Sequence, residues 1–492
     1  MKNKLLSAFI LAIVLVVIFA VPALAKNDVL EFVSEAKRQQ FIQVYGAITF
    51  LATVVVYFFS GARQGNDAGL WRTAVSFSLL CLVGIGAIWY MMAKSSPDEN
   101  YGHGTDYNLL KTAQEGGVCD ELKQADVNLT ASAGKDNQIN VRMLDSQRDV
   151  DCMVNEQIKS ATKNGAEQPV FIQTGAFIQS LEFTSANDVV VTGYIWQRYP
   201  ANTPDFVQHG FILPEGDDAI YYMDTEEDGG ADYRENLPDG GVLLGWYIHT
   251  ALRQTFDYSK YPFDRQDIWL RFWHLDFDRN VILTPDFKGY GIPSDTLPEW
   301  PHRDGIFLGL ERDFVLERLD PERTYFNYHY NNYNVDFGFS NYQGQNAFPE
   351  LYFNVGAKRQ VLDALVAYLI PLFILLLMSF GVQFIVTQIP EKMSMHGIST
   401  TGLIAYYASL FFIGILAHLD IRRTLNASGV VYIEYFYFIL YVILLLQTVN
   451  SIIFAATDDV GFLEYKDNLI PKVIFFPITL GLMFTITAYL FY

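Results

Sequence analysis

Residues 364–390 and 393–419 are two successive runs that contain no Asp, Glu, Lys or Arg. About 20 apolar residues in a helix cross the hydrocarbon of a bilayer, where every backbone group must be satisfied within the segment. Runs of this kind therefore fix the chain as a membrane protein before any finer pattern is read. Two more, 435–457 and 473–492, close the sequence. Two others, 39–62 and 73–93, precede its polar middle and are joined by a short loop carrying Arg63 and Arg72, which suits a cytoplasmic turn. The first run, residues 5–25, follows Lys2 and Lys4 and ends in Ala-Leu-Ala. It reads as a secretory signal peptide, or as an anchor that is retained. Counting crossings from that start places residues 95–358 and the C-terminal Tyr492 outside the cytoplasm. The loop 458–472, then inside, is net acidic, and Lys358, Arg359, Arg422 and Arg423 fall outside, so the charge rule supports this count only in part.

Charge narrows the function classes. The 492 residues carry a net charge of −20, with the acid gathered mainly between 97 and 350. A chain so short of Lys and Arg is not expected to bind nucleic acid. Cys81 lies inside an apolar run and reads as inert packing, whereas Cys119 and Cys152 lie in the outer part, where oxidation can join them. Two separate thiols fit the same count.

Residues 95–168 are polar, with weak helical stretches such as 110–125, and read as an additional extracytoplasmic segment. From Gln168 the texture changes to short runs of Val, Ile, Thr and aromatics: 170–178, 188–196, 242–251, 268–275, 313–318, 324–330 and 351–355. Gly, Pro, Asn and Asp punctuate them, the pattern of an antiparallel sandwich or barrel. No phosphate-binding glycine loop, no His pair at helical spacing and no Gly-x-Ser-x-Gly elbow occurs. The chain is accordingly expected to be neither an enzyme nor a holder of a metal or cofactor.

Four patterns, in this order, resemble the pentameric ligand-gated ion channels, the Cys-loop receptor superfamily. Val170-Phe-Ile-Gln-Thr-Gly-Ala-Phe-Ile through Gly193-Tyr-Ile-Trp-Gln-Arg-Tyr199 looks like that family's first strand pair. Tyr258-Ser-Lys-Tyr-Pro-Phe-Asp-Arg-Gln266 is similar to its Phe-Pro-Phe-Asp-x-Gln loop. Phe348 through Arg359 resembles its last strand and basic pair, and Ile370-Pro-Leu through Ser379 its first pore-domain helix, followed by three more spans. The family's loop cysteines would fall near Gln254 and Ile268, so that disulfide is absent, as in bacterial members.

The resemblance covers residues 168–492 and implies a fold: an extracytoplasmic antiparallel β-sandwich over 169–358, then a four-helix transmembrane bundle over 359–492. Residues 1–25 (signal or anchor), the transmembrane helical hairpin 39–94 and the segment 95–168 are additions to it. It further implies a homopentamer in a bacterial inner membrane, opened by a small-molecule ligand bound between subunits and passing inorganic ions. On the family's binding strand fall Trp196 and Arg198, and in its capping loop Tyr342. Pro262 and Asp264 would lie in a loop pressed on the membrane domain, where Asp264 could pair with Lys358 or Arg359, with Glu182 or Asp188 nearby. An ordinary turn is the alternative for that loop. At helical spacing Ser394, Ile398, Thr401, Ala405 and Ala408 share one small, partly polar face, able to line a pore in a five-fold ring. Glu391 at its inner mouth would form a carboxylate ring favouring cations. Small faces also serve plain helix packing, and Tyr406, Tyr407, Phe411 and Phe412 make the outer half bulky. Glu434, at the edge of the next span, is expected to pair with Arg422 or Arg423. The other aromatics of the outer domain, Trp273, Tyr333 and Phe339 among them, read as core or subunit interface. The rival reading is a non-conducting sensor or assembly factor using the same outer domain to bind a solute or partner.

Overall fold

A computed structural model describes residues 67–94, 140–144, 147–165, 167–217, 230–291, 307–331, 333, 335–339, 348–387, 389, 399–425, 427, 429–456 and 465–491. The expected spans 5–25 and 39–62 lie outside them. The chain divides into two compact units. One is helical and also holds the loop Tyr258–Asp264; the other comprises the strands.

The β unit forms two sheets. Its strands are β1 (Asn140–Leu144), β2 (Val170–Phe183), β3 (Asp188–Tyr199), β4 (Phe211–Ile212), β5 (Tyr233–Asn236), β6 (Val242–Arg253), β7 (Arg265–His274), β8 (Val281–Pro285), β9 (Leu310–Leu316), β10 (Leu319–Asn331) and β11 (Phe348–Arg359). One sheet runs β1-β10-β11-β7-β4, the other β5-β6-β3-β2-β8, with β9 also on β2. Strand side chains alternate between faces. In β3 and β7 every second residue is buried, in register with the Val/Ile/Leu pattern of those segments. Ile172, Val191, Ile195 and Trp246 of one sheet share a single apolar core with Leu270, Phe272, Phe326 and Phe353 of the other. The wholly antiparallel expectation is corrected along one edge: β2 pairs in parallel with both β8 and β9. Parallel neighbours need a long crossover, and residues 184–280 supply it.

The sheets also take in residues before 168. β1 lies within the segment read as an addition, yet it pairs along β10 from Asn140↔Tyr330 to Leu144↔Phe326. The helix that follows, α2 (Gln147–Asn164), sends Val150 and Met153 into the same core. Cys152 on this helix is disulfide-bonded and Cys81 is free; Cys119 lies outside the described residues.

The helical unit contains α1 (Asp67–Lys94), α3 (Val361–Ile385), α4 (Thr400–Leu425), α5 (Tyr432–Ala456) and α6 (Leu469–Phe491). These five are long and apolar enough to cross a membrane, the mark of a membrane-embedded protein. Buried positions on α1 (Leu70, Ala74, Phe77, Cys81, Ile85, Ile88) recur at three and four, so one stripe faces protein while Val75, Leu79 and Val83 face outward. At Gly84 an added Cβ would stand 2.5 Å from Phe484 Cε2, so the missing side chain lets α1 approach α6 closely. Residues 365–369 of α3 form a π turn just before Pro371, which has no N–H to complete an α-helical bond. Interhelical hydrogen bonds run from Gln447 Nε2 to Ser379 O (3.0 Å) and from Tyr407 OH to Gln383 Oε1 (3.3 Å).

α4 and α5 extend beyond the uncharged runs. α4 continues through Asp420, Arg422 and Arg423, and α5 begins with Glu434 inside its first turn. Charge ended the sequence-based spans there, but the charges satisfy one another. Glu434 is fully buried and accepts from His418 Nε2 (2.9 Å), from Arg422 and from the Val431 amide (2.8 Å). Arg422 is thus the partner, and His418 is an addition to it.

Candidate functional site

The strongest concentration of polar chemistry in the β unit lies where β7 ends and β11 begins. Residues 269, 271 and 273 alternate to one face of β7, while 270 and 272 enter the core. On that face Arg271 is nearly enclosed between two carboxylates. It donates to Glu215 (Nε to Oε2, 3.3 Å) and approaches Glu350 (Nη1 to Oε2, 3.4 Å). Tyr333 and Asn331 also donate to Glu350, which is 2% exposed. Burial raises the Glu215 carboxyl above its ordinary range, against the pull of Arg271, and also raises the Tyr333 phenol. The cluster has more carboxylate than guanidinium.

An aromatic group adjoins it. Trp273 stands 5.7 Å from Tyr333, 5.4 Å from Phe277 and 6.1 Å from Phe337, measured between ring centroids. Phe277 in turn meets Phe337 (5.4 Å) and Phe339 (5.8 Å) edge-on. Phe337 and Phe339 are exposed, so the group has an open lip. A small pocket here is lined by Trp273, His274, Phe277, Phe348, Pro349 and Glu350, with Phe272, Val281 and Leu283 from the core. Two buried donors beside it, Trp273 Nε1 and His274 Nε2, have no acceptor among the described residues. The His274 tautomer follows from its other nitrogen: Nδ1 accepts the Asp276 amide at 3.0 Å, so Nε2 carries the hydrogen. Burial pushes the His274 pKa down to about 3, keeping the ring neutral. Such a site offers ring faces and a carboxylate to a cation, and two N–H groups to an acceptor. The separation of Glu215, Arg271, Tyr333 and Glu350 along the chain hid the cluster from sequence reading. The signal available was polar residues, Arg271 and Glu350, inside strand-like runs.

Trp196 and Arg198, the expected ligand contacts, are brought together but already engaged. Trp196 Nε1 (2.8 Å) and Arg198 Nε (2.6 Å) both donate to Oδ2 of Asp286, which is fully buried. The indole lies across Gly175, its partner on β2, where any Cβ would collide with the ring. Tyr290 adds a ring contact to the indole at 5.1 Å between centroids. Tyr342 lies outside the described residues.

The expected coupling residues divide between the units. Pro262 and Asp264 are buried with the loop in the helical unit. There the Tyr432 amide donates to Ser259 O (2.9 Å), Tyr261 meets Tyr368 (6.4 Å), and Phe263 meets Trp89 (6.0 Å), Tyr432 (6.3 Å) and Phe491 (5.6 Å). Lys358 and Arg359 end β11 in the β unit, where Lys358 lies 3.9 Å from Glu322, itself held by Arg265 at 2.8 Å. Asp188 is taken by Arg253 at the end of β6 (2.9 Å) and by Ser185 in the turn between β2 and β3 (2.8 Å), and Glu182 is exposed. Of the expected pore face, Thr401, Ala405 and Ala408 are exposed on α4, while Tyr407, Leu410 and Gly414 are buried against other helices. Glu391, Ser394 and Ile398 lie outside the described residues.

These features define a membrane-embedded protein with a β unit that carries an aromatic, carboxylate-bearing pocket. Neither the models of known protein families nor the curated proteins contain a match to the chain.

Proposed function

We propose that the chain is one subunit of a ligand-gated ion channel, a divergent bacterial relative of the Cys-loop receptors, with a β-sandwich outside the membrane and a four-helix pore domain. One observation carries the reading. The loop Tyr258–Asp264 joins two strands of the β unit, β6 and β7, yet its side chains are built into the helical unit at the heads of α3 and α5. A change of strand geometry on ligand binding has a covalent path to those heads. A ligand shifts such an equilibrium only by its differential affinity for the two states. The aromatic group of Trp273, Phe277, Tyr333 and Phe337 beside the Glu350 carboxylate supports a cation as that ligand, and the outward residues of α4 support a pore lined by Thr401, Ala405 and Ala408 in a homopentamer. The four helices that follow the β unit return the C-terminus to its own side of the inner membrane.

The rival, a non-conducting sensor, draws support from a specific feature. Phe412, Leu416 and Leu419 continue the same face of α4 and are exposed, large and apolar. Purified full-length protein in a planar bilayer separates the two. The channel reading expects unitary currents, and scanning simple amines from the β-unit side should change their open probability. Reconstituted, pentameric protein that stays silent under every amine would favour the sensor.

A further inference from the structure

The resemblance assigns no part to α1, yet α1 is built into the point where loop and helices meet. Trp89, near its end, donates from Nε1 to the Tyr432 hydroxyl at 2.7 Å. Tyr432 OH lies 2.7 Å from Thr487 Oγ1, and Thr487 donates to Met483 O (2.7 Å). With both neighbours fixed, the direction of the whole relay is fixed: indole N–H to phenol, phenol to threonine, threonine to a carbonyl of α6. Tyr432 is 1% and Thr487 0% exposed, so water replaces none of these bonds. The same residues hold the loop. The Tyr432 amide binds Ser259 O, and the Phe263 ring sits among Trp89, Tyr432 and Phe491. Trp89 also meets Phe436 at 6.3 Å. Four segments (α1, the loop, α5 and α6) thus share one aromatic and hydrogen-bonded knot. At its other end α1 is fixed again: Asp67 pairs with Lys466 and accepts from Tyr465 OH (3.1 Å), and Trp71 stacks on Phe384.

We propose that Trp89 is a positioning residue for the loop Tyr258–Asp264, and that α1 is thereby a second input to that loop, independent of the ligand pocket. A displacement of α1 along its axis moves the indole, which must carry Tyr432 and Phe263 with it or leave a buried N–H without an acceptor. The chain continues from α1 at Lys94 to β1 and α2, a covalent connection to the β unit separate from β6 and β7. The consequence for gating rests on the channel reading above; the hold on the loop does not.

Hydrogen exchange on the full-length protein in lipid nanodiscs, read by mass spectrometry, tests the hold without needing current. Trp89→Phe keeps a ring and removes the donor; Trp89→Ala removes both. Trp71→Phe alters the far end of α1 and serves as the control. Exchange over 257–264 and at the Tyr432 amide should accelerate about tenfold in Trp89→Ala and several-fold in Trp89→Phe, because a buried bond and its geometry are lost. Exchange over β6 and in the Trp71→Phe protein should match the parent. Unchanged loop protection in Trp89→Phe, or acceleration spread evenly over all five helices, would overturn the proposal. Trp89→Phe decides the matter if Trp89→Ala does not fold. Silence in a bilayer would count against the channel and leave this result as it stands.

Discussion

Asp267 and His274 stand on the same strand and answer to pH with opposite signs. Asp267 is paired through Gly356 of β11 with Arg323 of β10, and the bare glycine lies between the two side chains. Arg323 Nη2 reaches Asp267 Oδ2 at only 4.0 Å, and burial raises the Asp267 pKa from 3.8 to about 7, with Arg323 opposing and Glu322 adding to the rise. In an unfolded chain this proton leaves near pH 4; in the folded chain it stays until about pH 7. The stabilising contribution is therefore full below about pH 4 and is lost as pH rises to about 7, by at most about 1.4 kcal/mol per pH unit. For His274 the folded value of about 3 lies below the unfolded 6.5, so its contribution is full above pH 6.5 and is lost as pH falls towards 3. Asp267→Asn removes only the first slope. Its melting temperature should match the parent below about pH 4 and exceed it increasingly up to about pH 7. A difference that is constant with pH would mean that Asp267 stays ionised in the folded state. Neither titration was legible in the sequence, because each depends on what strand pairing places around the residue.

At the scale of elements, alternation made β3 and β7 readable, and uncharged length made the helices readable. What failed to show were elements defined by their partners. β1 has no strong strand pattern of its own, and its place is settled by pairing with β10. β8 and β9 lie far along the chain from β2, so their parallel pairing leaves no local trace. The charged ends of α4 and α5 fell outside the uncharged runs because Glu434 and Arg422 meet only once the helices are side by side. The same logic yields a prediction for β1. Leu144 is fully buried opposite Phe326. Leu144→Ala deletes core contacts at a sheet edge and should cost about 2–5 kcal/mol. Its effect on exchange should be greatest along β10, since that strand has β1 on one side and β11 on the other. Protection of β10 equal to that of the parent would show that β1 rests on the sheet without supporting it.

At the scale of the whole molecule the question is what five copies of α4 would enclose. Among the exposed residues of α4, Thr401, Ala405, Ala408, Phe412, Leu416 and Leu419 follow one another at steps of three and four along one helix face, flanked by Gly402, Ser409, Phe411 and Ile413, which are exposed as well. Tyr407, Leu410, Gly414 and Ile421 form the buried face against the subunit's own helices. The outward face is small and partly polar in its first half and large and apolar in its second. A ring of Phe412 and Leu416 would hold back water by its apolar walls, closing the path without a plug. Thr401→Cys, Ala405→Cys and Ala408→Cys should then react with a charged thiol reagent reaching them from the side of the 385–400 connection, because a wet lumen lets a thiol ionise. Leu410→Cys should stay inert. Applied from the β-unit side, the reagent should reach Ala405→Cys only after Leu416→Ser makes the constriction wettable, and the same substitution should raise the resting current. Equal protection of all four cysteines from both sides would place this face against protein or lipid and remove the pore. Reaction at Ala405→Cys from the β-unit side without Leu416→Ser would keep the pore and remove the apolar gate.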